Sequence, residues 1–304
     1  MKVSGLFFAA CGAVLLLGGC GGGTSSQNVN TPSVSPLAGN WLIAAPMPTN
    51  SLVGSVPVQH LRLAMTIDVV GSNLVAGGFV NHTCPGFYGS YNFPSVLTGT
   101  VAEDGTFSLG GPSAFPDIAI AMTGKAPSIG GASWPGSYTV SFGSLPGPIQ
   151  DCVETLSDTF TATSFPLVNG VYAGTASSTT YINGVPTIRT MSLQVTLQQG
   201  GTATNPITGK TVTSNTVLTG RIKVQGSPCF SSGTTSGTPS SGVLGNNVHA
   251  QFAMDDGSTL DFTGTLTDAS ESQIATGIVL LMGGQCGGSL PPVAYRMAEL
   301  DRVN

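Results

Sequence analysis

Two stretches of this chain alternate between large apolar and smaller or polar side chains, and this alternation limits the available folds more than any other feature. Leu, Met and Ile occupy every second position of residues 61–68, and Met, Leu and Val do so in residues 191–198. A period of two over such a length is typical of a β-strand with one face in the core and the other in water. The pattern therefore predicts an all-β chain built from antiparallel strands.

The two alternating stretches belong to a longer internal repeat. The matching segments, first copy against second, are 37–41 with 167–172, 61–68 with 191–198, 72–73 with 214–215, and 120–124 with 260–264. A duplication explains why these segments recur in the same order. We therefore predict a first repeat at residues 37–166 and a second at residues 167–304.

Within the first repeat the pattern predicts eight strands. They are residues 40–46, 61–70, 73–81, 96–103, 106–110, 118–125, 133–142 and 158–165. Gly71-Ser72 suits a two-residue type II′ hairpin turn, and Asp104-Gly105 suits a type I′ turn. A turn at Gly71-Ser72 sets Met65 opposite Gly78, which places the apolar side chains of both strands on one face.

Antiparallel strands joined in chain order leave two exposed edges unless the sheet closes. We therefore expect each repeat to be an eight-stranded up-and-down barrel, with a β-sandwich as the alternative. The opening Gly39-Asn40-Trp41 resembles the Gly-x-Trp first strand that lipocalins and avidins share, and this resemblance implies barrels of the same kind. The biotin site of avidins is not expected here, because its aromatic cage needs more tryptophan than Trp41 and Trp134 supply.

The start of the chain predicts export. An apolar run at residues 6–17 is shorter than the roughly 20 residues that span a bilayer. The run ends in Leu17-Gly18-Gly19-Cys20, which resembles the lipobox of bacterial lipoproteins. That resemblance implies a signal peptide at residues 1–19, cleavage before Cys20, and acylation of the Cys20 thiol with palmitate. By resemblance to enterobacterial sorting, Gly21 implies the outer membrane, at its periplasmic face or at the cell surface.

Residues 20–36 are rich in Gly, Ser, Thr, Pro and Asn, and they predict a lipidated flexible tether with a reach of roughly 20 to 24 Å. The whole chain is poor in charge, with 8% of residues charged and a formal net charge of −5. It contains no basic run. We therefore expect no nucleic-acid partner. The N-terminal acyl chains imply a lipid bilayer as a partner.

Four cysteines remain after the signal peptide and Cys20 are set aside, namely Cys84, Cys152, Cys229 and Cys286. An even number in an exported protein indicates disulfides. In an up-and-down meander the connections after the first, third, fifth and seventh strands share one end, where Cys84 and Cys152 both fall. This placement favours a Cys84–Cys152 bridge, and the repeat then favours Cys229–Cys286.

The chain carries none of the sequence motifs typical of hydrolases, metalloproteases or nucleotide-binding proteins. Its three histidines are too few for most metal sites. The acidic group formed by Asp151, Glu154 and Asp158 is interpreted as solvated loop charge. We therefore predict no catalytic residue, no cofactor and no metal site.

One patch is enriched in aromatic residues, although the chain as a whole is only 7% aromatic. It comprises Phe87, Tyr88, Tyr91 and Phe93, in the predicted loop after the third strand. Such a patch can form a contact rim for an apolar ligand, a glycan ring or a partner protein. It can also fold back as a lid over the barrel, and this interpretation is favoured because a small barrel needs its ends sealed.

Together these features predict a membrane-anchored envelope lipoprotein that acts as a non-enzymatic binding or interaction module. Its partner would be a protein, a glycan or a small apolar ligand. A structural or adhesin-like surface protein is the alternative, and a carrier of a small apolar ligand or an enzyme is less favoured. The run at residues 278–282 is apolar at successive positions, which predicts a strand covered on both faces and placed near the contact between the barrels.

Overall fold

The computed structural model describes residues 35–45, 52–53, 56–57, 62–83, 90–112, 118–142, 156–182, 185–205, 208–235, 241–267, 273–284, 293–297 and 299–303. Strands make up most of this part of the chain. They are β1 (Gly39–Ala44), β2 (Leu52–Val53), β3 (Val56–Pro57), β4 (Arg62–Val70), β5 (Asn73–Thr83), β6 (Ser90–Val101), β7 (Thr106–Pro112), β8 (Ile118–Lys125), β9 (Ser133–Phe142), β10 (Leu156–Phe165), β11 (Asn169–Ile182), β12 (Val185–Thr204), β13 (Thr211–Gln225), β14 (Ser232–Thr235), β15 (Gly242–Leu244), β16 (Asn247–Met254), β17 (Thr259–Leu266), β18 (Gln273–Met282), β19 (Val293–Met297) and β20 (Leu300–Val303).

The first repeat is a closed barrel of eight antiparallel strands, in the order β1-β10-β9-β8-β7-β6-β5-β4. Each of these strands pairs with the next one along the chain, and β10 pairs with β1 to complete the ring. The short strands β2 and β3 pair with each other in the connection from β1 to β4. The predicted up-and-down barrel is therefore confirmed for this repeat.

The predicted register of the first hairpin is also confirmed. Met65 lies opposite Gly78, and Val70 lies opposite Asn73 across the turn. Gly71 has a φ of 63°, a conformation that a residue with a Cβ rarely adopts and that this tight turn requires. The hairpin therefore directs the large apolar side chains of β4 into the barrel.

The predicted two-residue turn at Asp104-Gly105 is wrong by one residue. The Ala102 N–H donates to the Thr106 carbonyl at 2.8 Å, and the Gly105 N–H donates to the Ala102 carbonyl at 3.0 Å. The loop therefore has three residues, with Gly105 at a φ of 83° in its last position. This is the common three-residue hairpin, in which a turn is followed by a left-handed glycine.

The second repeat forms another antiparallel sheet, whose ladders also run in a ring. β11 pairs with β12, and β12 pairs with β13. The fourth position of the ring is shared by β14 and β15, which lie between β13 and β16. β17 and β18 follow, and β19 and β20 share the eighth position between β18 and β11. The two sheets belong to one compact unit.

The interior of each sheet is filled by the protein's own side chains in the part that the structure describes. In the first barrel, Trp134 packs edge-on against Trp41, Phe107 and Phe160, with ring centroids 5.6, 4.9 and 5.3 Å away. In the second, Phe252 and Phe262 are fully buried within a cluster drawn from all around the ring. Each repeat therefore has a core of its own.

The apolar run of β18 does not form the contact that the sequence predicts. Val279 and Leu281 are buried in the core of the second sheet, whereas Met282 is 36% exposed. The main contacts between the barrels are made instead by β13 and β15 against β1, β4 and β5. The prediction is wrong because a different edge of the second sheet faces the first barrel, and this leaves the outward-facing Met282 partly exposed to solvent.

Candidate functional site

Most of the residues singled out in the sequence lie outside the part that the structure describes. These are Cys20, Cys84, Phe87, Tyr88, Cys152 and Cys286. The backbone of Tyr91 and Phe93 lies in β6, opposite His82 and Val80, and not in a loop as the sequence suggests. β6 begins earlier than predicted because its ladder with β5 continues as far as Ser90. The aromatic rim therefore stays a prediction.

Cys229 is the one predicted cysteine that the structure describes. It follows β13 and packs, partly buried, against the core of the second sheet. Its sulfur is disulfide-bonded, and its partner lies outside the described residues. The pairing of Cys229 with Cys286 stays a prediction.

A buried pair of side-chain amides joins the two barrels. Asn40 Nδ2 donates to Gln199 Oε1 at 3.0 Å, and Gln199 Nε2 donates back to Asn40 Oδ1 at 2.8 Å. The remaining hydrogen-bonding positions are used as well, since Gln199 Oε1 accepts from the Val168 N–H at 2.8 Å and Gln199 Nε2 donates to the Asn215 carbonyl at 2.6 Å. A fully satisfied buried network of this kind favours one arrangement of the two barrels.

The hairpin between β15 and β16 lies against the outer face of β4. The Thr66 hydroxyl oxygen accepts from the Gly245 N–H at 2.9 Å and lies 2.9 Å from the Val243 carbonyl oxygen. The same hydroxyl lies 2.8 Å from Asn40 Oδ1. The hairpin is thus tied to the amide pair through one side chain of the first barrel.

Asp68 is a carboxylate buried at the same junction. Only 8% of the residue is exposed, and it accepts hydrogen bonds from Ser214 Oγ at 2.5 Å and from the Asn215 N–H at 2.7 Å. Burial raises the pKa of Asp68, and the two hydrogen bonds offset part of that rise. Beside it lies a cleft of about 230 Å³ whose walls include the half-exposed Val70 and Val96.

The raised pKa of Asp68 predicts that its burial costs stability at neutral pH. The folded protein binds this proton more tightly than the unfolded chain does, so the Asp68 contribution falls as the pH rises above its ordinary pKa of 3.8. We expect Asp68→Asn to raise the midpoint of urea unfolding relative to the wild type at pH 7. The difference should shrink as the pH approaches 4, because the wild-type carboxyl then becomes neutral.

The matched control is Asp104→Asn in the first barrel. Hydrogen bonds from Thr106 lower the pKa of Asp104, so its stabilising effect is present at neutral pH and is lost in acid. The two substitutions should therefore show opposite trends with pH. A pH-independent difference between wild type and Asp68→Asn would contradict the assignment of the buried charge.

Besides the polar junction between the barrels, a second polar surface lies on the outer face of β11 to β14. It contains a groove of about 750 Å³ lined mainly by Thr and Gln side chains together with Arg221 and Lys223. The two cations stand on the same face of β13, since they are two residues apart in one strand. Both are exposed to solvent. This groove combines hydrogen-bonding groups with positive charge.

One histidine–carboxylate pair lies among the described residues. His249 Nε2 lies 2.7 Å from Asp261 Oδ1, but this pair is on the surface, with the His249 side chain 43% exposed. No group of three His, Cys, Asp or Glu side chains in the described ranges is placed to hold a metal ion. Within those ranges no helix has the length and apolar character needed to cross a membrane.

Neither the polar junction nor the groove was predicted from the sequence. Thr66 and Asp68 occupy the polar positions of an alternating strand, so they were expected to face water. Nothing in the sequence of β4 distinguishes a polar face that contacts protein from one that contacts solvent. The cations of the groove did have a sequence signal, because the chain has no acidic residue between Asp158 and Asp255.

No protein-family model matches the chain, and no curated protein matches it significantly.

Proposed function

We propose that this chain is a lipid-anchored envelope protein that binds its partner on the outside of a rigid two-barrel body and performs no catalysis. The observation that carries the proposal is the packing of the barrel interiors. Trp134, only 1% exposed, stands at the centre of an aromatic cluster where a ligand-carrying barrel would hold its ligand. An eight-stranded barrel filled in this way leaves its outer surface for binding.

The junction supports a role that depends on fixed geometry. The Asn40–Gln199 amide pair and the Asp68 bonds to β13 hold the barrels in one arrangement. Buried polar groups of this kind do more for specificity of arrangement than for stability. Such a body presents its surfaces at constant spacing, as a binding module requires.

The anchoring part of the proposal rests on the start of the sequence. Cys20 at the end of the lipobox-like segment would carry the acyl chains, and residues 21–36 would let the body move some 20 Å from the membrane surface. The outer membrane is the proposed location. Bridges Cys84–Cys152 and Cys229–Cys286 would hold the loops at one end of each barrel.

An adhesin-like role is the second candidate, and one hairpin favours it. The ladder between β11 and β12 continues to the pair Ile182–Val185, beyond the residues where either strand pairs with another neighbour. On β12 this arm exposes Val185 by 62% and Ile188 by 69%. Exposed aliphatic side chains on a projecting ribbon are suited to contact with another protein surface.

The proposal predicts two results for Cys20→Ser. The variant should lose its acyl label and should leave the membrane fraction on washing at high salt, because the thiol that receives the lipid is gone. The released full chain should then bind isolated cell envelopes saturably, and no low-mass product should appear in the supernatant. Fractionation with radiolabelled palmitate and a pelleting assay measure these outcomes.

Two results would contradict the proposal. Unchanged membrane fractionation of Cys20→Ser, with no acyl label in the wild type, would rule out the anchor. Non-saturable binding to envelopes, or steady release of products from them, would rule out a non-enzymatic binding module.

A further inference from the structure

The charges of this chain are unevenly distributed along its sequence. Between Asp158 and Asp255 there is no acidic residue, while Arg189, Lys210, Arg221 and Lys223 all fall in that interval. The whole chain nevertheless has 14 acidic against 9 basic residues. The strands β11 to β15 are therefore a cationic part of an acidic protein.

Two of these cations stand side by side on the outer face of the second barrel. Arg221 lies between Thr196 on β12 and Thr234 on β14, and Lys223 lies between Gln194 and Ser232 on the same strands. Residues two apart in a strand are separated by roughly 7 Å and point to the same side. Hydroxyl and amide side chains thus surround two adjacent positive charges.

Among the residues that the structure describes, neither Arg221 nor Lys223 has a carboxylate within salt-bridge distance. Neighbouring like charges on one face of a sheet repel each other, so they destabilise the fold unless something else compensates them. The described residues form no ion pair with these two cations, whereas an anionic ligand would.

The acidic residues nearest in the sheet define the limits of this surface. Asp255 accepts from Ser231 Oγ at 2.6 Å and from the Ser232 N–H at 3.1 Å, and these bonds lower its pKa and keep it charged. On the other side, Asp301 of β20 lies opposite Ala173 of β11. Negative charge at both margins favours a ligand whose anionic groups lie over the centre of the groove.

We propose that this groove binds a polysaccharide that carries carboxylate groups, an inference that rests on the proposed function of a binding module. Arg221 and Lys223 pair with the carboxylates, since guanidinium and ammonium groups form charge-assisted hydrogen bonds with them. The surrounding Thr and Gln side chains both donate and accept hydrogen bonds, which matches sugar hydroxyls. The groove volume of about 750 Å³ is enough for several sugar rings.

The lining of the groove argues against the two other common polyanions. Its described lining residues include no aromatic side chain on which nucleic-acid bases could stack. Its aliphatic lining residues, Val171 and Leu197, are part of the sheet. A membrane-binding element instead presents a projecting apolar face that enters the bilayer. A polysaccharide with hydroxyl and carboxylate groups can pair both with the two cations and with the Thr and Gln side chains of the groove.

The test uses the full chain with Cys20→Ser and an alginate oligosaccharide as the carboxylated probe, measured by isothermal titration calorimetry at low ionic strength. We expect saturable binding that weakens as salt is added, because the contacts are exposed ion pairs. Neutral dextran of similar length should bind at least tenfold more weakly. The double substitution Arg221→Gln/Lys223→Gln should weaken alginate binding at least tenfold.

The matched control is Arg62→Gln/Lys125→Gln, which removes two exposed cations from β4 and β8 of the first barrel and gives the same net charge. This control should retain alginate binding within about twofold. An equal loss in both double variants would mean that net charge alone is responsible, and it would overturn the assignment to this groove. Circular dichroism of all variants verifies that they are folded.

Other outcomes also decide the matter. No binding of alginate, or equal binding of dextran, would overturn the proposed ligand class. Tighter binding of duplex DNA or of vesicles containing an anionic phospholipid would assign the groove to that polyanion instead. If envelopes still bind the Cys20→Ser protein saturably in these cases, the binding module stands and only its proposed ligand is wrong.

Discussion

Gly245→Ala should release the two barrels from each other while leaving each of them folded. Gly245 has a φ of 60°, and a Cβ built there would lie 2.5 Å from the Met65 nitrogen and 2.6 Å from the Trp41 carbonyl oxygen. Both of those atoms belong to the backbone of the first barrel, so neither can move aside easily. A left-handed backbone for a residue with a side chain and an overpacked contact together cost about 2 to 5 kcal/mol.

The measurement is a comparison of shape and stability. Small-angle scattering should show a larger radius of gyration for Gly245→Ala, and its circular dichroism spectrum should remain that of a β protein. Gly257→Ala is the control, because Gly257 also has a positive φ of 81° but has no atom within 4 Å of the added Cβ. The control should lose stability without any change in shape. An unchanged radius of gyration for Gly245→Ala would show that the junction tolerates the added methyl group.

The fold of the first barrel was predictable because its signals are local. The pairing of β4 with β5 follows from the apolar alternation of β4 and from the tight turn at Gly71, which makes the two strands antiparallel. The structure confirms this pairing. The turn at Gly105 was missed by one residue because a left-handed glycine suits both two-residue and three-residue loops. Only the hydrogen bonds of Ala102 distinguish these two cases.

The junction was not predictable, because it depends on contacts between residues far apart in the chain. In β4 every residue from Leu63 to Asp68 is buried. The burial of the residues that point into the barrel agrees with the prediction from the sequence. The outward half is buried by the second barrel, and alternation alone cannot distinguish a polar face that packs against protein from one in water.

The groove was partly predictable from the sequence, unlike the junction. The absence of acidic residues between Asp158 and Asp255 is visible in the sequence. Its importance depends on register, because Arg221 and Lys223 form one site only when they share a face with Gln194 and Thr196 of the next strand. The net charge of −5 for the whole chain does not show that the strands around Arg221 and Lys223 are locally cationic.

Trp134→Ala should destabilise the first barrel more than any surface change considered above. The Trp134 ring is 1% exposed and makes edge-on contacts with Trp41, Phe107 and Phe160. Removing a buried aromatic side chain of this size costs about 3 to 5 kcal/mol, because the cavity left behind does not collapse fully. Urea unfolding followed by circular dichroism measures the loss, and Ile129→Ala, at a residue that is 86% exposed, should change stability by no more than about 0.5 kcal/mol.

Trp134→Phe separates packing from hydrogen bonding at the same position. The indole Nε1 of Trp134 is buried and has no hydrogen-bond partner among the residues that the structure describes. Phenylalanine removes that unsatisfied N–H, whose burial costs about 1 to 3 kcal/mol, while it keeps most of the aromatic contact. We therefore expect Trp134→Phe to lose less than half the stability that Trp134→Ala loses. Equal losses of stability in the two variants would contradict this expectation. They would indicate that the indole N–H has a hydrogen-bond partner inside the barrel, beyond the side chains that fill the interior here.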